Sequence, residues 1–197
     1  MSVSADLVKA LREKTNAGMM DCKKALEETH GDMEKAFDVL RKRGLDVAAK
    51  KSSRTVKEGV IGSYIHSNNK IGVLVEVCCE TDFVAKNASF QEFVKDLTLQ
   101  VASAYPRYVA REEVPAAVIE REQAIYREQA QGKPAQVLDK IITGKLEKFY
   151  KEVCLVDQVF VKDDKKTIKE LLQALIVKLG ENIIIRRFVR FQVGETA

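Results

Sequence analysis

Apolar residues in the first forty positions recur at intervals of three and four, the period of helices with one buried face. Leu7, Val8 and Leu11 give a first helix its apolar edge, with Ser4 placed to cap the N-terminus. Thr15-Asn16-Ala17-Gly18 predicts a break, because Asn and Gly tolerate the positive φ of a tight turn. Cys22, Ala25 and Leu26 mark a second helix, closed by His30-Gly31-Asp32, with Asp32 placed to cap a third. Ala36, Phe37 and Leu40 line that helix, and Gly44 suits its C′ position. Three helices of this length make a core near the lower size limit for independent folding, which suits a small docking module.

The period then changes. Val60 to Ile65 and Ile71 to Cys79 are rich in β-branched residues, with Ser67-Asn68-Asn69-Lys70 between them as a turn. Val73, Val75, Val77 and Cys79 share one face, and Leu74, Glu76, Cys78 and Glu80 the other. Ser89-Phe90-Gln91-Glu92 fits a capping box ahead of Phe90, Phe93, Val94, Leu97 and Val101, and Tyr105-Pro106 ends that helix. Pro115 opens another helix, carrying Val118, Ile119, Ile125 and Tyr126. After Gly132-Lys133-Pro134, Val137, Leu138, Ile141 and Ile142 start a further one. Val153 to Val161 reads as a strand, and Thr167-Ile168-Lys169-Glu170 as a second capping box leading to Leu179 and Gly180. Ile183 to Val193 is a last strand. The order predicts an α+β chain in three parts: a three-helix docking module over 1–45, a basic linker over 46–57, and an α+β core with a small, largely antiparallel sheet over 58–197.

Composition narrows the function classes. No apolar run approaches the ~18 residues of a membrane span, and the start shows no basic stretch followed by an apolar one. Four cysteines without a C-x-x-C spacing read as reduced thiols in a cytoplasmic compartment. The net charge of +4 demands no polyanionic partner. Arg41, Lys42, Arg43, Lys50, Lys51, Arg54 and Lys57 face only Asp46, either as a nucleic-acid patch or as a solvated linker, and the second is favoured. Arg186-Arg187-Phe188-Val189-Arg190-Phe191 interleaves cations and aromatics as single-strand platforms do; a strand with Phe188 or Phe191 in the core accounts for it better.

Catalytic chemistry finds little to stand on. His30 lies in a turn and His66 alternates along a strand, without a G-x-S-x-G nucleophile elbow. Cys78 and Cys79 point to opposite sides of a strand, so a zinc site finds no convergent ligands, and no phosphate-binding glycine loop occurs. Gly59-Val60-Ile61-Gly62 has the spacing of a KH loop but leads into a strand. The chain is therefore expected to act by docking, without a catalytic centre, metal or cofactor. The rival classes are an RNA-binding protein using the basic run and the last strand, and a small hydrolase using His66.

Two segments are more specific: Leu11-Arg12-Glu13-Lys14-Thr15-Asn16-Ala17-Gly18-Met19-Met20-Asp21-Cys22-Lys23-Lys24-Ala25-Leu26 and Glu76-Val77-Cys78-Cys79-Glu80-Thr81-Asp82-Phe83-Val84-Ala85-Lys86-Asn87. They resemble the two signature segments of the translation elongation factor Ts family. The likeness continues through Ala48-Ala49-Lys50-Lys51, Phe160-Val161-Lys162-Asp163-Asp164 and Gly180-Glu181-Asn182-Ile183, so it spans the chain. Asn16 stands where the family usually has Gly, and Cys78 where Asn is common. The length leaves no room for the second half-core, coiled-coil insertion and C-terminal module of longer members.

The resemblance implies an N-terminal module of ubiquitin-associated type and guanine-nucleotide exchange on elongation factor Tu. It places Arg12, Met19 and Met20 at the partner contact. It assigns Thr81, Asp82, Phe83 and Val84 to dislodging Mg²⁺ from the partner, with Asp82 and Phe83 also touching it. It further implies a cytoplasmic protein that binds no nucleic acid directly, and homodimerisation of short forms to complete the sheet core. From the residues alone, Thr81-Asp82-Phe83-Val84 fits a capped helical turn with Phe83 buried at home, or a wedge. Met19 and Met20 are about 100° apart on a helix, so both cannot face one small core.

Overall fold

A computed structural model describes residues 3–15, 17–132 and 134–195, apart from the side chains of Leu45, Ala135 and Gln136. Asn16 and Lys133 of the predicted turns lie outside the described residues. The chain divides into two compact units, one of Met1–Val60, Val77–Phe93 and Glu170–Ile184, the other of Ile61–Glu76, Val94–Lys169 and Ile185–Ala197.

In the first unit, helices α1 (Ala5–Thr15), α2 (Met19–Glu28) and α3 (Met33–Lys51) form the N-terminal layer. Ser4 Oγ accepts from Leu7 N–H at 3.3 Å, and Asp32 Oδ1 accepts from Glu34 N–H and Lys35 N–H, each at 3.1 Å. His30 and Gly31 take positive φ, 52° and 85°, as the sharp turn between α2 and α3 requires. Val8, Leu11, Cys22, Ala25, Leu26, Ala36 and Leu40 close the small core. Three expectations are corrected. Gly18 is extended, with φ −60°, and its missing side chain leaves room for Asp21, whose Oδ2 would lie 2.9 Å from a Cβ. Phe37 stays exposed. Gly44 does not end α3: the helix continues to Lys51, so residues 46–51 are helical.

That extension carries α3 to α8 (Ile168–Leu179). Arg41 pairs with Glu170, Val177 lies 3.5 Å from where a Cβ on Gly44 would be, and Lys51 Nζ donates to Gly180 O. The basic run is therefore largely occupied within the fold, with Arg43 on Glu28 and Arg54 3.6 Å from Glu80.

Strands β1 (Glu58–Ile65), β2 (Ile71–Cys79) and β5 (Ile183–Gln192) form a three-stranded antiparallel sheet in the order β1-β2-β5. Val73, Val75, Val77 and Cys79 are buried, as the alternation predicts. Helix α5 (Ala88–Ala104) contributes Phe90, Phe93, Val94, Leu97 and Val101 to the core. Its cap is Asn87, whose Oδ1 accepts from Ser89 N–H at 2.9 Å; the predicted Ser89 instead accepts from Lys178. In the second unit Gly62 lets β1 approach α5, since a Cβ there would meet Val94 Cγ1 at 2.5 Å. The other sheet face leaves Ile61, Ile65, Leu74, Val189 and Phe191 exposed. Phe191 is thus not a core residue, while Phe188 is half-buried and Arg190 lies over the Tyr105 ring at 4.3 Å.

Helices α6 (Ala116–Gln129) and α7 (Ala135–Val153) pack against one another, and Val114, Val153 and Cys154 form a small cluster with Tyr108, Phe149 and Tyr150. The strand expected over 153–161 shrinks to β3 (Val159–Phe160), because α7 runs to Val153 and a 3-10 turn follows at Leu155–Asp157. β3 pairs antiparallel with β4 (Asp163–Thr167), whose polar sequence gave no strand signal. Gln100 and Gln158, both buried, hold this region: Gln100 Nε2 donates to Gln158 Oε1 and Val159 O at 3.1 Å, and Val161 N–H donates to Gln100 Oε1 at 2.9 Å.

Candidate partner-docking site

β2 ends at the buried Cys79, and after Glu80 and Thr81 the chain coils into a single helical turn, α4 (Asp82–Ala85). Thr81 starts it as an extended N-cap, φ −128° and ψ 156°, with Oγ1 accepting from Val84 N–H at 3.4 Å. Thr81 O accepts from Ala85 N–H and from Cys79 Sγ, each at 3.2 Å. Burial, and next the Glu181 carboxylate, push the Cys79 thiol up to about 11, so it remains a neutral donor.

The turn divides its four side chains by direction. Val84 and Ala85 are buried and root it in the core, whereas Phe83 is 82% exposed. Asp82 is exposed and its Oδ2 accepts from Lys86 Nζ at 2.7 Å, a hydrogen bond that is the main reason its carboxyl sits below the usual carboxylate range. The sequence offered a capped turn with Phe83 buried or a wedge. The cap is present and the burial is not. An aromatic ring in water has its apolar area free for a partner.

Arg12 on α1 is exposed, and on α2 Met19 and Met20 are 54% and 62% exposed. Adjacent positions on one helix force at least one methionine outward, and both are exposed. Exposed, flexible thioethers suit an adaptable apolar surface.

Sequence reasoning missed what holds the Thr81 turn. Glu181, two residues beyond the end of α8, accepts from Thr81 Oγ1–H at 2.6 Å, from Thr81 N–H at 3.0 Å and from Glu80 N–H at 3.1 Å. The partners lie a hundred positions apart, and no local pattern announces such a bond. The other candidates are tied up elsewhere. His66 Nδ1 lies 2.8 Å from Tyr64 Oη, and Arg187 pairs with Glu76 at 2.6 Å. Among the described residues no group of three or more His, Cys, Asp or Glu is placed to hold a metal ion, and no helix is long and apolar enough to cross a membrane.

A braced turn that presents an unsheltered aromatic ring, and exposed apolar side chains on small N-terminal helices, are the features of a protein suited to docking on another. The family model described as Elongation factor TS matches residues 4–195. Elongation factor Ts of Thermoanaerobacter sp. (strain X514) is 58% identical over 195 residues, covering 98% of this chain and 96% of that protein. The same factor of Thermodesulfovibrio yellowstonii is 56% identical over 197 residues, 100% of this chain and 98% of its own length. That of Geobacter sulfurreducens is 56% identical over 197 residues, 99% and 91% respectively. The chain belongs to the elongation factor Ts family, the guanine-nucleotide exchange factors of elongation factor Tu, which serve the elongation step of protein synthesis.

Proposed function

We propose that the three N-terminal helices anchor the chain on GDP-bound elongation factor Tu through Arg12, Met19 and Met20, and that the Thr81–Val84 turn then drives nucleotide release. Phe83 enters the partner beside its phosphate site, and Asp82 acts in the neighbourhood of the Mg²⁺ bridging the phosphates, which the turn dislodges. A GTPase holds its nucleotide through a backbone phosphate cradle and that Mg²⁺. A protein that binds best when the cradle is distorted must weaken nucleotide binding, and the nucleotide must weaken the protein's binding by the same factor. No bond is made or broken. The observation that carries this reading is the 82% exposure of Phe83 on a turn whose neighbours Val84 and Ala85 are buried.

The test is release of fluorescent GDP from elongation factor Tu, with and without the chain. Acceleration supports exchange, and an unchanged rate counts against it. On the sheet face opposite α5, the exposed Ile61, Ile65, Leu74 and Phe191 support a homodimer that covers them, since large apolar patches mark interfaces. Sedimentation should show a dimer at micromolar concentration; a single 22.1 kDa species would refute it. The setting is cytoplasmic, with no direct role for nucleic acid.

A further inference from the structure

We infer that Glu181 is the positioning residue of the exchange turn, fixing where Phe83 points without touching the partner itself. The inference rests on the Thr81–Val84 turn being the exchange element. A ring that is 82% exposed has almost no packing of its own to orient it, so its direction is that of the backbone beneath it. That backbone is one turn of helix, too short to be stable alone. Its geometry must come from outside, and the cap that starts it is long, at 3.4 Å.

Glu181 supplies the missing constraint. One carboxylate oxygen accepts both consecutive backbone N–H groups, of Glu80 and Thr81, while the other takes the Thr81 hydroxyl proton at 2.6 Å. With its proton committed to Glu181, Thr81 Oγ1 turns a lone pair toward Val84 N–H, the cap that α4 needs. Hydrogen bonds to an ionised acceptor are roughly twice as strong as neutral ones, and three converge here on two residues. The clasp is reciprocal, because Glu80 Oε1 accepts from Asn182 N–H at 2.6 Å. Buried Asn182 is in turn anchored by donating to Arg54 O at 2.8 Å and Ser52 O at 3.3 Å. Gly180, at φ +75°, lets the chain leave α8 sharply enough to deliver Glu181 to this place. The turn is thus ordered before the partner arrives, and its ordering cost is not charged against exchange.

The experiment measures GDP release from elongation factor Tu over a range of factor concentrations, for E181A, E181Q, F83A and the double variant F83A/E181A, with melting curves for each. E181A should lower the saturating release rate about tenfold, the effect of one lost ordering element, while the half-saturating concentration stays within about twofold because the anchor is untouched. E181Q should recover only part of the rate: its carbonyl oxygen still accepts both N–H groups, but without the charge, and its amide can only donate to the Thr81 oxygen. In the F83A background E181A should add nothing, because it acts only through the turn. If F83A is slow but E181A is not, or if the two effects simply multiply, the positioning inference is overturned and the wedge stands. If F83A releases GDP at the full rate, the wedge falls and takes this inference with it. Should E181A fail to fold, E181D, charged but one methylene short, takes its place, and a folded E181D with the full rate overturns the inference.

Discussion

Phe83→Ala removes a ring that the free chain hardly uses, and the two states in which the ring sits give different magnitudes. With 82% of the residue exposed, only about a fifth of its surface is covered at home. On a side chain of ~200 Å² that is ~40 Å², or ~1 kcal/mol at ~25 cal/mol per Å². The melting temperature should therefore drop by only ~2–4 °C, the usual response of a chain this size to ~1 kcal/mol. A buried Phe would cost ~3–5 kcal/mol. In the complex the remaining ~160 Å² can be covered, an upper limit of ~4 kcal/mol, part of which goes into distorting the phosphate cradle. A loss of ~1.4–2.8 kcal/mol in that step slows GDP release by one to two orders of magnitude. Calorimetric melting of the free protein and stopped-flow release of fluorescent GDP read the two quantities separately. A large loss of stability, with the surviving folded fraction still exchanging normally, would refute the wedge.

A chain beginning at Ser52 lacks α1–α3 yet keeps the Ser52 and Arg54 carbonyls that satisfy Asn182. It should melt cooperatively and lose most of its affinity for elongation factor Tu by titration calorimetry; full-length affinity would disprove the anchor. Asp82→Asn keeps the side chain's size and removes its charge, so it should slow GDP release in millimolar Mg²⁺ and have less effect once Mg²⁺ is chelated, whereas the Phe83→Ala defect should persist; an Asp82→Asn defect indifferent to Mg²⁺ would exclude the ion's involvement. Burial first, then neighbouring carboxylates, raise the Cys79 and Cys154 thiols from 9.0 to about 11. The unfolded chain loses these protons first, so stability should be full below about pH 9 and fall as the pH rises towards 11. Urea midpoints should track that fall and flatten in a Cys79→Ala/Cys154→Ala variant; an unaltered slope would remove the thiols as its cause.

Elements with strong periodicity could be read directly from the chain. The alternation through Val73, Val75, Val77 and Cys79 and the helical spacing of Phe90, Phe93, Val94, Leu97 and Val101 reappear as buried faces because each encodes its own geometry. Ser4 and Asp32 were legible as caps for the same reason, since a cap needs only the backbone two or three residues on. Failures came where tertiary contact overrode local preference. Gly44 looked like a helix end, but it lies inside α3 where Val177 of α8 comes close, so its small size serves packing. The polar β4 is a strand because β3 pairs with it, and periodicity cannot see a partner. The last strand left open whether Phe188 or Phe191 faces the core; the burial alternation of β5 changes phase at Arg186–Arg187, which leaves Phe188 half-buried and Phe191 outside. At the docking turn, the sequence showed the residues and the cap but not the direction of Phe83. That direction depends on Glu181, and a bond across a hundred positions leaves no trace in either segment.

The turn keeps its two chemical groups in different states of readiness. Phe83 has nothing to release before it binds, because its apolar face is already in water. Asp82 is engaged, but only with Lys86 four residues on, and both side chains are largely exposed. An ion pair in that setting is screened and contributes little. The same hydrogen bond holds the Asp82 carboxyl below the usual carboxylate range, so it is charged throughout the neutral range. In the proposed mechanism Asp82 gives up only a solvated contact when it leaves Lys86, and Val84 and Ala85, buried in the core, need not move. Had the charge been buried in an ion pair, breaking it would have left an unpaired charge inside the core and stalled the movement. In the proposed mechanism, binding free energy from the N-terminal helices is then expressed on the partner's phosphate site, because almost none is needed to rearrange the exchange factor itself.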